Sequence, residues 1–349
     1  MLVASLLTLG SPEQLTGGYL YHLRLAELAP RHGARIDLVS LPLLPFPLPA
    51  AFGGRLRRRI DGSDVVVVDS IAAAYMAPWH LAPPVAASLH QPPGGIDHGP
   101  LRRAAQAPLD RALYRRCSLL VLASATLATP DLPPVPTVVV PPGRDVAHPP
   151  QRPPVDLRRG RRAALLSVGN WMERKGTLDL VEAFARLAPH AATLHLVGRT
   201  DVDRRYGGRV ARRLARPDVA DRVVVHGPVT RDEVAHLYRL ADVFVLPSYR
   251  EPYGTVYGEA MAAGLPVVGW RAGNLPNLAR HGREGLILDP GDRAGLAAAL
   301  RRLADDAPYR ERLAAAASAR AARLPTWDDT AATFVELLTG VAGEQGVRT

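Results

Sequence analysis

The feature that most constrains the fold of this chain is a repeated alternation of short apolar runs with longer helical patterns. Strand-like runs of the first half lie at residues 2–9, 36–41, 65–69, 85–90, 119–123 and 138–140. Those of the second half lie at residues 163–168, 193–197, 223–226, 243–247, 266–268 and 285–288. Apolar strands that alternate with helices are typical of parallel sheets with helices on both faces. The pattern predicts an α/β protein with two doubly wound, Rossmann-like sheets.

A proline-rich stretch over residues 132–154 separates the two series and is followed by four arginines between Arg158 and Arg162. Proline cannot donate a backbone hydrogen bond, so such a stretch favours a linker over a further strand. A chain of 349 residues, 47% of them hydrophobic, can build two cores. We therefore predict one domain over residues 1–154 and a second over residues 155–324.

Cysteine usage and the length of apolar runs bear on the compartment. Cys117 is the single cysteine, which excludes a disulfide framework and suits a reducing compartment. The apolar N-terminus, residues 1–10, has no basic leader and is interpreted as a buried strand rather than a signal peptide. No apolar run approaches the roughly 20 residues of a membrane span. The sequence thus predicts a cytoplasmic protein.

The chain is strongly basic, with a formal net charge of +10. One arginine cluster and a nearby proline-broken apolar segment comprise Arg55, Arg57, Arg58 and Arg59 with Leu43, Leu44, Phe46 and Leu48. Apolar side chains beside a basic run can insert into an anionic membrane surface. Diphosphate substrates and plain solvation are the other interpretations of the charge. Nucleic acid is disfavoured, because aromatic residues make up only 5% and no recognition motif is visible.

Two glutamates, Glu251 and Glu259, stand eight positions apart in a glycine-rich segment between two apolar runs. The pattern predicts a strand, a loop, a short helix and a further strand. Glu251 then falls in the loop at the carboxyl end of a strand, and Glu259 falls in the first turns of the helix. Ligands of open α/β sheets bind beyond those strand ends. A carboxylate pair there can accept hydrogen bonds from the vicinal hydroxyls of a sugar or a ribose.

The segment from Glu251-Pro-Tyr-Gly254 to Gly264-Leu-Pro-Val-Val268 resembles the E-x7-E signature of retaining nucleotide-sugar glycosyltransferases of family 4. The resemblance implies the GT-B fold, in which two Rossmann-like domains face a central cleft. It implies that residues 155–324 bind the donor and that residues 1–154 form the acceptor side. It also implies that a last helix, over about residues 325–349, packs back on the N-terminal domain. Transfer would need no cofactor and no metal, with a nucleotide-diphosphate sugar as co-substrate.

Lys175 is the single lysine among 43 lysine and arginine residues. Arginine and lysine are interchangeable as solvated charges but not as phosphate ligands. Lys175 lies in a motif, Gly169-Asn-Trp-Met-Glu-Arg-Lys-Gly176, that follows a predicted strand and precedes a predicted helix. In the family that it resembles, this lysine neutralises the leaving diphosphate, and an arginine usually stands where this chain has Asn170. We predict that Lys175 is catalytic and that Arg174 and Asn170 lie at the donor site.

Gly17 and Gly18 precede the first predicted helix, which spans about residues 19–31. Paired glycines let the amides of a helix N-terminus approach an anion, although a tight turn explains them equally well in isolation. His90 ends the predicted strand 85–90, where a core or capping histidine is the alternative. The resemblance implies that Gly17 and Gly18 touch the donor phosphates. It also implies that His90 positions the donor sugar or the acceptor hydroxyl.

The resemblance implies a division of roles between the two glutamates. Glu259 would accept the ribose hydroxyls, and Glu251 would hold hydroxyls of the transferred sugar. Gly254 would orient the sugar through its backbone, and Thr255 begins a helix whose dipole faces the diphosphate. The resemblance further implies a hexosyltransferase-type reaction with retained anomeric configuration.

Alternatives remain for the function and for the partners. A GT-B sugar-nucleotide epimerase and a non-catalytic nucleotide-sugar-binding protein would share the scaffold. Asp201 and Asp203 form the D-x-D pattern of metal-dependent transferases, but acidic residues at this spacing are frequent at helix caps, which we favour. The acceptor is a small metabolite or a lipid-linked molecule, reached in the second case by contact with the cytoplasmic face of an anionic membrane.

Overall fold

The computed structural model describes residues 1–11, 17–60, 62–144 and 155–343. The chain forms two compact units, the first made of Met1–Gly143 with Pro325–Thr349 and the second of Arg144–Leu324. Their boundary lies within the proline-rich stretch, at Gly143, whereas the sequence places it at residue 154, outside the described residues. Among the described residues, no helix has both the length and the apolar character needed to cross a membrane.

Unit 1 is built on a six-stranded parallel sheet with the order β2-β1-β3-β4-β5-β6. Its strands are β1 (Leu2–Leu9), β2 (Ala34–Leu41), β3 (Val65–Asp69), β4 (Val85–Leu89), β5 (Leu119–Leu122) and β6 (Thr137–Val139). Its helices are α1 (Gly17–Leu28), α2 (Gly53–Ile60), α3 (Ala73–Met76), α4 (Pro100–Tyr114) and, from the end of the chain, α12 (Trp327–Gly343). The central strands read as continuous apolar runs because helices cover both faces of a doubly wound parallel sheet.

Helix α12 packs on unit 1 through aromatic contacts. The ring of Tyr21 in α1 meets Trp327 and Phe334 edge to face, with centroids 6.0 and 6.2 Å apart. Thr330 Oγ1 donates a hydrogen bond of 3.0 Å to the carbonyl of Pro141. Gly143 allows this approach, because a Cβ there would lie 2.2 Å from the backbone nitrogen of Trp327. The last helix is therefore part of the core of unit 1.

Unit 2 repeats the plan, with the strand order β12-β11-β10-β7-β8-β9. Its strands are β7 (Ala163–Val168), β8 (Ala192–Val197), β9 (Val223–Gly227), β10 (Val243–Val245), β11 (Val267–Trp270) and β12 (Gly285–Leu288). Its helices are α5 (Thr177–Phe184), α6 (Arg204–Leu214), α7 (Arg231–Leu240), α8 (Thr255–Ala262), α9 (Leu275–Leu278), α10 (Arg293–Asp305) and α11 (Ala307–Ala321).

Two apolar cores sandwich this second sheet. One contains Leu180 and Phe184 of α5 with Leu300 of α10, and the other contains Tyr257 and Met261 of α8. These side chains recur at helical spacing, so burial of one helix face explains why each segment is helical. The prediction of an α/β protein with two doubly wound parallel sheets is confirmed.

In each sheet the chain first winds in one direction and then in the other. The switch lies between β1 and β3 in unit 1 and between β7 and β10 in unit 2. Loops at the carboxyl ends of such strand pairs diverge and leave a crevice, which is the usual ligand site of open α/β sheets. Both predicted groups of functional residues lie at these two switch points.

Candidate functional site

In unit 2, Lys175 follows β7 and Glu251 follows β10, the two strands that flank the switch point. Lys175 Nζ donates a hydrogen bond to Glu251 Oε2. The two side chains are 12% and 11% exposed, so the ion pair is largely screened from water. Arg174 Nη1 lies 3.8 Å from the same carboxylate oxygen. We call Arg174, Lys175 and Glu251 the lysine cluster.

Glycine makes the lysine cluster sterically feasible. Lys175 ends a short 3₁₀ turn, and Gly176 follows in the left-handed conformation, with φ of 67°. A Cβ on Gly176 would lie 2.1 Å from the carbonyl oxygen of Pro247, in the segment that follows β10. Residue 176 must therefore be glycine for the loops after β7 and β10 to approach each other.

Arg174 ties these two loops together. Its Nη1 donates to the carbonyl of Arg250 at 3.0 Å. Its own carbonyl accepts hydrogen bonds from the backbone of Tyr249 at 2.7 Å and from Ser248 Oγ at 3.0 Å. Arg174 is thus more than a solvated charge, because both its backbone and its side chain hold the loop that carries Glu251.

A loop after β11 completes the support of Glu251, and sequence reasoning assigned it no role. The backbone nitrogen of Asn274 donates to the carbonyl of Glu251 at 2.9 Å, and Asn274 Nδ2 donates to the carbonyl of Tyr253 at 3.0 Å. Gly273 has φ of 55°, and a Cβ on it would lie 2.4 Å from the Glu251 carbonyl. The Gly-Asn pair after an apolar strand was the available signal, since that pair favours a tight backbone approach.

Helix α8 begins directly after the loop that carries Glu251. Gly254 adopts the left-handed conformation, with φ of 76°, and caps the helix that starts at Thr255. The amides of a helix N-terminus carry partial positive charge and favour an anion. Glu259 lies further along α8, half-buried, and its Oε2 accepts a hydrogen bond of 3.2 Å from the hydroxyl of Tyr238.

Tyr238 of α7 is a further residue that sequence reasoning missed. Burial and the neighbouring Glu259 carboxylate raise the pKa of Tyr238 well above its ordinary value. The phenol therefore remains a hydrogen-bond donor, which orients the Glu259 carboxylate. A tyrosine on an adjacent helix gives no sequence signal for this contact, because its spacing to Glu259 follows only from the packing of α7 and α8.

Asn170 takes part in a structural contact. Its Oδ1 accepts a hydrogen bond of 3.0 Å from the backbone nitrogen of Arg199, just beyond β8. This bond fixes the loop after β7 against the loop after β8. The predicted contact of Asn170 with a donor stays a prediction.

In unit 1, His90 lies just beyond β4 and contacts a second buried histidine, which in turn lies near a buried carboxyl group. His90 Nε2 is 2.7 Å from His22 Nε2, and His22 Nδ1 is 3.5 Å from Asp69 Oδ2. Gly18, at the start of α1, lies beside the His90 ring, since a Cβ on it would be 3.6 Å from His90 Cδ2. We call His22, Asp69 and His90 the histidine cluster.

Burial dominates the electrostatics of the histidine cluster. It lowers the pKa of His22 to about 3, and burial together with His22 lowers the pKa of His90 to about 3. Burial also raises the pKa of Asp69 above its ordinary value. Both imidazoles are consequently neutral at physiological pH.

The potential metal ligands of the structure bear on the expectation of metal-free chemistry. Asp203 caps α6 by accepting a hydrogen bond of 2.9 Å from the Tyr206 backbone, and Asp201 pairs with Arg199 at 3.1 Å. Both acidic residues of the D-x-D pattern are therefore engaged locally. In the described part of the chain, the histidine cluster is the set whose three ligand atoms lie within 4.8 Å of one another.

Two parallel sheets, each doubly wound, are the architecture of the GT-B fold, and solved structures of that class match the whole chain. Sucrose-phosphate synthase from Thermosynechococcus elongatus superposes with a TM-score of 0.82 at 21% identity, covering 99% of this chain and 100% of that one. HepE from Anabaena, in complex with UDP-glucose, superposes with a TM-score of 0.79 at 20% identity, covering 96% of this chain and 99% of that one. The prediction of the GT-B fold is confirmed.

Sequence similarity is concentrated in unit 2. Residues 162–306 match the family model described as Glycosyl transferases group 1. The D-inositol 3-phosphate glycosyltransferase of Thermomonospora curvata is 43% identical over 122 residues, which are 35% of this chain. The match spans only 28% of that relative's length. The matched family region contains the whole lysine cluster and Glu259.

Proposed function

We propose that this protein is a retaining glycosyltransferase that moves a sugar from a nucleotide-diphosphate sugar to an acceptor hydroxyl. The observation that carries the proposal is the lysine cluster. The single lysine of the chain is held against Glu251 at the switch point of unit 2, inside the region that matches the group 1 glycosyltransferases. A buried ion pair is costly to assemble, so its placement at a ligand crevice favours a functional role over a stabilising one.

Lys175 would supply positive charge to the departing diphosphate. The bond between the anomeric carbon and the phosphate oxygen breaks while the acceptor oxygen forms its bond on the same face of the sugar. A phosphate oxygen of the donor takes the proton of the acceptor hydroxyl. Preorganised donors lower this barrier because they meet charge that grows in the transition state, and removing one typically costs about 3–4 kcal/mol.

Glu251 and Glu259 would recognise hydroxyl groups at two ends of the donor. Glu251 follows β10 and contacts Lys175, the proposed diphosphate ligand, which supports a role in holding the transferred sugar. Glu259 lies within α8, oriented by Tyr238, and suits the ribose. Carboxylates are acceptor-only groups, so each pairs naturally with vicinal hydroxyl donors.

Metal-free transfer is part of the proposal. Lys175, Arg174 and the N-terminus of α8 concentrate positive charge around Glu251, the electrostatic function that a divalent cation supplies elsewhere. Activity should therefore persist in a chelator.

The similar proteins suggest which donors and acceptors to test first. HepE was solved with UDP-glucose, and the Thermomonospora protein is named for an inositol 3-phosphate acceptor. UDP-sugars and inositol phosphates are accordingly the first compounds to test. A small metabolite and a lipid-linked acceptor remain the two acceptor classes.

Contact with an anionic membrane is proposed for unit 1. Leu43 and Leu48 are 67% and 55% exposed, in the segment that leads into α2. Within α2, Leu56 and Ile60 are buried while Arg55 and Arg59 are exposed. Exposed leucines beside exposed arginines suit shallow insertion with headgroup contact.

A non-catalytic nucleotide-sugar-binding protein is the second candidate. Asn170 favours it, because its side chain binds the Arg199 backbone and brings no charge where the family resemblance expects an arginine. An epimerase would convert the sugar of the donor without releasing the nucleotide.

A donor screen separates these functions. Purified protein is incubated with a panel of nucleotide-diphosphate sugars in EDTA and, in parallel, in Mg²⁺, with and without inositol phosphates. Release of nucleoside diphosphate is then measured. The proposal predicts release from at least one donor in both media. Binding without release would identify the binding protein, an altered sugar on an intact donor would identify the epimerase, and release only in Mg²⁺ would overturn metal independence.

A further inference from the structure

The histidine cluster has a directional hydrogen-bond pattern that the sequence did not indicate. Asp69, at the end of β3, accepts hydrogen bonds at one oxygen from Thr8 Oγ1 at 2.9 Å and at the other from the Ile71 backbone and Ser70 Oγ, each at 3.2 Å. Donors converge on both oxygens. These bonds make both oxygens acceptors and oppose the burial that raises the pKa of Asp69.

Asp69 is connected to His90 by two routes. Through the Ser70 hydroxyl, Oγ donates to Asp69 and accepts a hydrogen bond of 3.1 Å from the His90 backbone nitrogen. Through the rings, His22 lies between Asp69 and His90, with Nδ1 facing Asp69 and Nε2 facing His90. Both the position and the ring of His90 therefore depend on Asp69.

The chemistry of the ring route fixes where the protons reside. Asp69 Oδ2 accepts a hydrogen bond from Thr8 Oγ1 and lies 3.5 Å from His22 Nδ1, outside hydrogen-bond geometry. An acceptor oxygen repels a nitrogen lone pair and attracts an N–H, so we place the His22 proton on Nδ1. A neutral imidazole has one donor and one acceptor, which leaves His22 Nε2 as the acceptor. The 2.7 Å contact then requires His90 Nε2 to donate, so the lone pair of His90 resides on Nδ1.

We propose that Asp69 and His22 are positioning residues that hold His90 in its Nε2-protonated tautomer. The tautomer itself depends only on the geometry of unit 1. Its importance for turnover rests on the proposed function, in which His90 contacts the sugar or the acceptor hydroxyl. A fixed neutral tautomer lets His90 contribute a hydrogen bond of defined polarity without adding charge.

Polar and aromatic groups from five elements surround the cluster. They are Thr8 of β1, Tyr19 and Tyr21 of α1, Asp69 with Ser70 at the end of β3, Ser88 of β4 and Tyr114 of α4. Ser88 Oγ lies 3.3 Å from His90 Nε2 and can share its proton as a second acceptor. No arginine or lysine is among these neighbours.

A metal site is the competing interpretation, and the geometry disfavours it. Two imidazole nitrogens that share a zinc ion sit about 2.0–2.1 Å from the metal, which in a tetrahedral site separates them by more than 3 Å. The observed 2.7 Å between the Nε2 atoms is instead a hydrogen-bond distance. Asp69 also faces Nδ1 of His22, the ring edge away from His90.

The test is ¹⁵N-histidine labelling of the full-length protein and long-range ¹H–¹⁵N correlation, which reports the protonation of each ring nitrogen. Signals are assigned from His22→Gln and His90→Gln spectra. The expected wild-type pattern is a protonated Nε2 on His90 and a protonated Nδ1 on His22.

Asp69→Asn gives a stricter test, because the amide can turn its NH₂ group toward His22. This would reverse the order of protons along Asp69, His22 and His90, which we call the relay. The His90 proton should then move from Nε2 to Nδ1. His195 is the internal control, since its Nε2 donates to the Leu157 carbonyl at 2.8 Å in unit 2 and its signals should not change. An Asp69→Asn spectrum with His90 unchanged would overturn the relay, and so would an unprotonated His90 Nε2 in the wild type.

Two further outcomes are distinguishable. Stoichiometric Zn²⁺ that shifts both His22 and His90, with reversal by EDTA, would show a metal site instead of the relay. In the enzymatic assay, Asp69→Asn should lower kcat about tenfold or more with little change in the KM of the donor. A reversed tautomer with wild-type kcat would refute the positioning role, whereas a wild type without transfer activity would refute only the proposed function.

Discussion

The two units carry different chemical groups at the same position in the same architecture. In each unit the predicted site lies at the switch point of a parallel sheet. In unit 1 the cluster is a chain of neutral imidazoles behind a buried carboxylate. In unit 2 it is a lysine and an arginine around one glutamate.

Burial and pairing explain the difference. The imidazoles of His22 and His90 are neutral because burial lowers their pKa to about 3. Lys175 and Glu251, by contrast, form an ion pair in which each side chain is only about one-tenth exposed. A doubly wound sheet can therefore present either hydrogen bonds of fixed polarity or concentrated charge at one crevice. We infer that unit 2 handles the diphosphate and that unit 1 handles uncharged hydroxyls.

Lys175→Ala should lower turnover more than any other change, because it removes the cation that distinguishes unit 2 from unit 1. Loss of a preorganised cation typically costs about 10²–10³ in rate, so nucleotide release should fall by two orders of magnitude or more. Lys175→Arg should rescue poorly, because guanidinium differs from ammonium in shape and hydration. Steady-state release of nucleoside diphosphate measures the effect.

The matched control is Arg186→Ala, which removes an exposed cation just beyond the other end of α5. It should leave turnover unchanged. Turnover of Lys175→Ala within threefold of the wild type would mean that the charge of unit 2 is not catalytic.

Glu251→Gln and Glu259→Gln should weaken contacts of unit 2 with two different parts of the donor. Glu259→Gln should weaken the binding of free nucleoside diphosphate and of intact donor alike, by about tenfold, because a charged acceptor is lost. Glu251→Gln should leave the affinity for the free nucleotide unchanged and weaken only the binding of the intact donor. Calorimetry with both ligands measures the split, and equal losses in the two variants would refute it.

The pH dependence of stability should distinguish the neutral cluster of unit 1. The unfolded chain takes up protons on histidine near pH 6.5, whereas folded His22 and His90 remain neutral to about pH 3. Stability is therefore present above pH 6.5 and is lost as the pH falls toward 3, by about 1.4 kcal/mol per pH unit for each such group.

His22→Phe removes one of these groups, so its unfolding free energy should fall less steeply between pH 6 and pH 4. Denaturant titrations across that range measure the slope, with His80→Gln, at an exposed histidine of the same unit, as the control. An unchanged slope in His22→Phe would contradict the neutral state of the folded histidine.

The smallest effect is expected at the surface of unit 1. Arg55→Ala should weaken binding to anionic vesicles about fivefold, since one basic residue near the surface contributes about 1 kcal/mol. Flotation at low salt, with Arg186→Ala in unit 2 as the control, measures it. Equal binding of wild type to neutral and anionic vesicles, or no binding at all, would show that these arginines are only solvated.

The sequence predicts the fold well because its information is local. Apolar strand runs such as residues 65–69 and 163–168 coincide with β3 and β7, and each is buried on both faces as such runs require. The prediction of a helix over residues 19–31 is less accurate. Its last turn is a 3₁₀ helix over Ala29–His32, where Pro30 has no backbone donor for a regular turn.

The site is only partly predictable for a physical reason. Lys175 and Glu251 carry signals because both lie in loops directly after strands, where a parallel sheet brings loops together. His22 and Asp69 carry none, because one lies inside a helix and the other ends a valine run that reads as plain core. Their contact with His90 depends on the packing of α1 against the sheet, which no spacing in the chain encodes.

The anomeric configuration of the sugar released from the donor tests the central claim most directly. Wild-type protein is incubated in EDTA with the donor found in the screen, water serves as the acceptor, and ¹H NMR records the first sugar formed before mutarotation. Retaining transfer predicts the configuration of the donor in the product, with release at least about a hundredfold slower in Lys175→Ala and unchanged in Arg186→Ala. A product of inverted configuration, or bound donor that is never cleaved, would contradict retaining transfer at the lysine cluster.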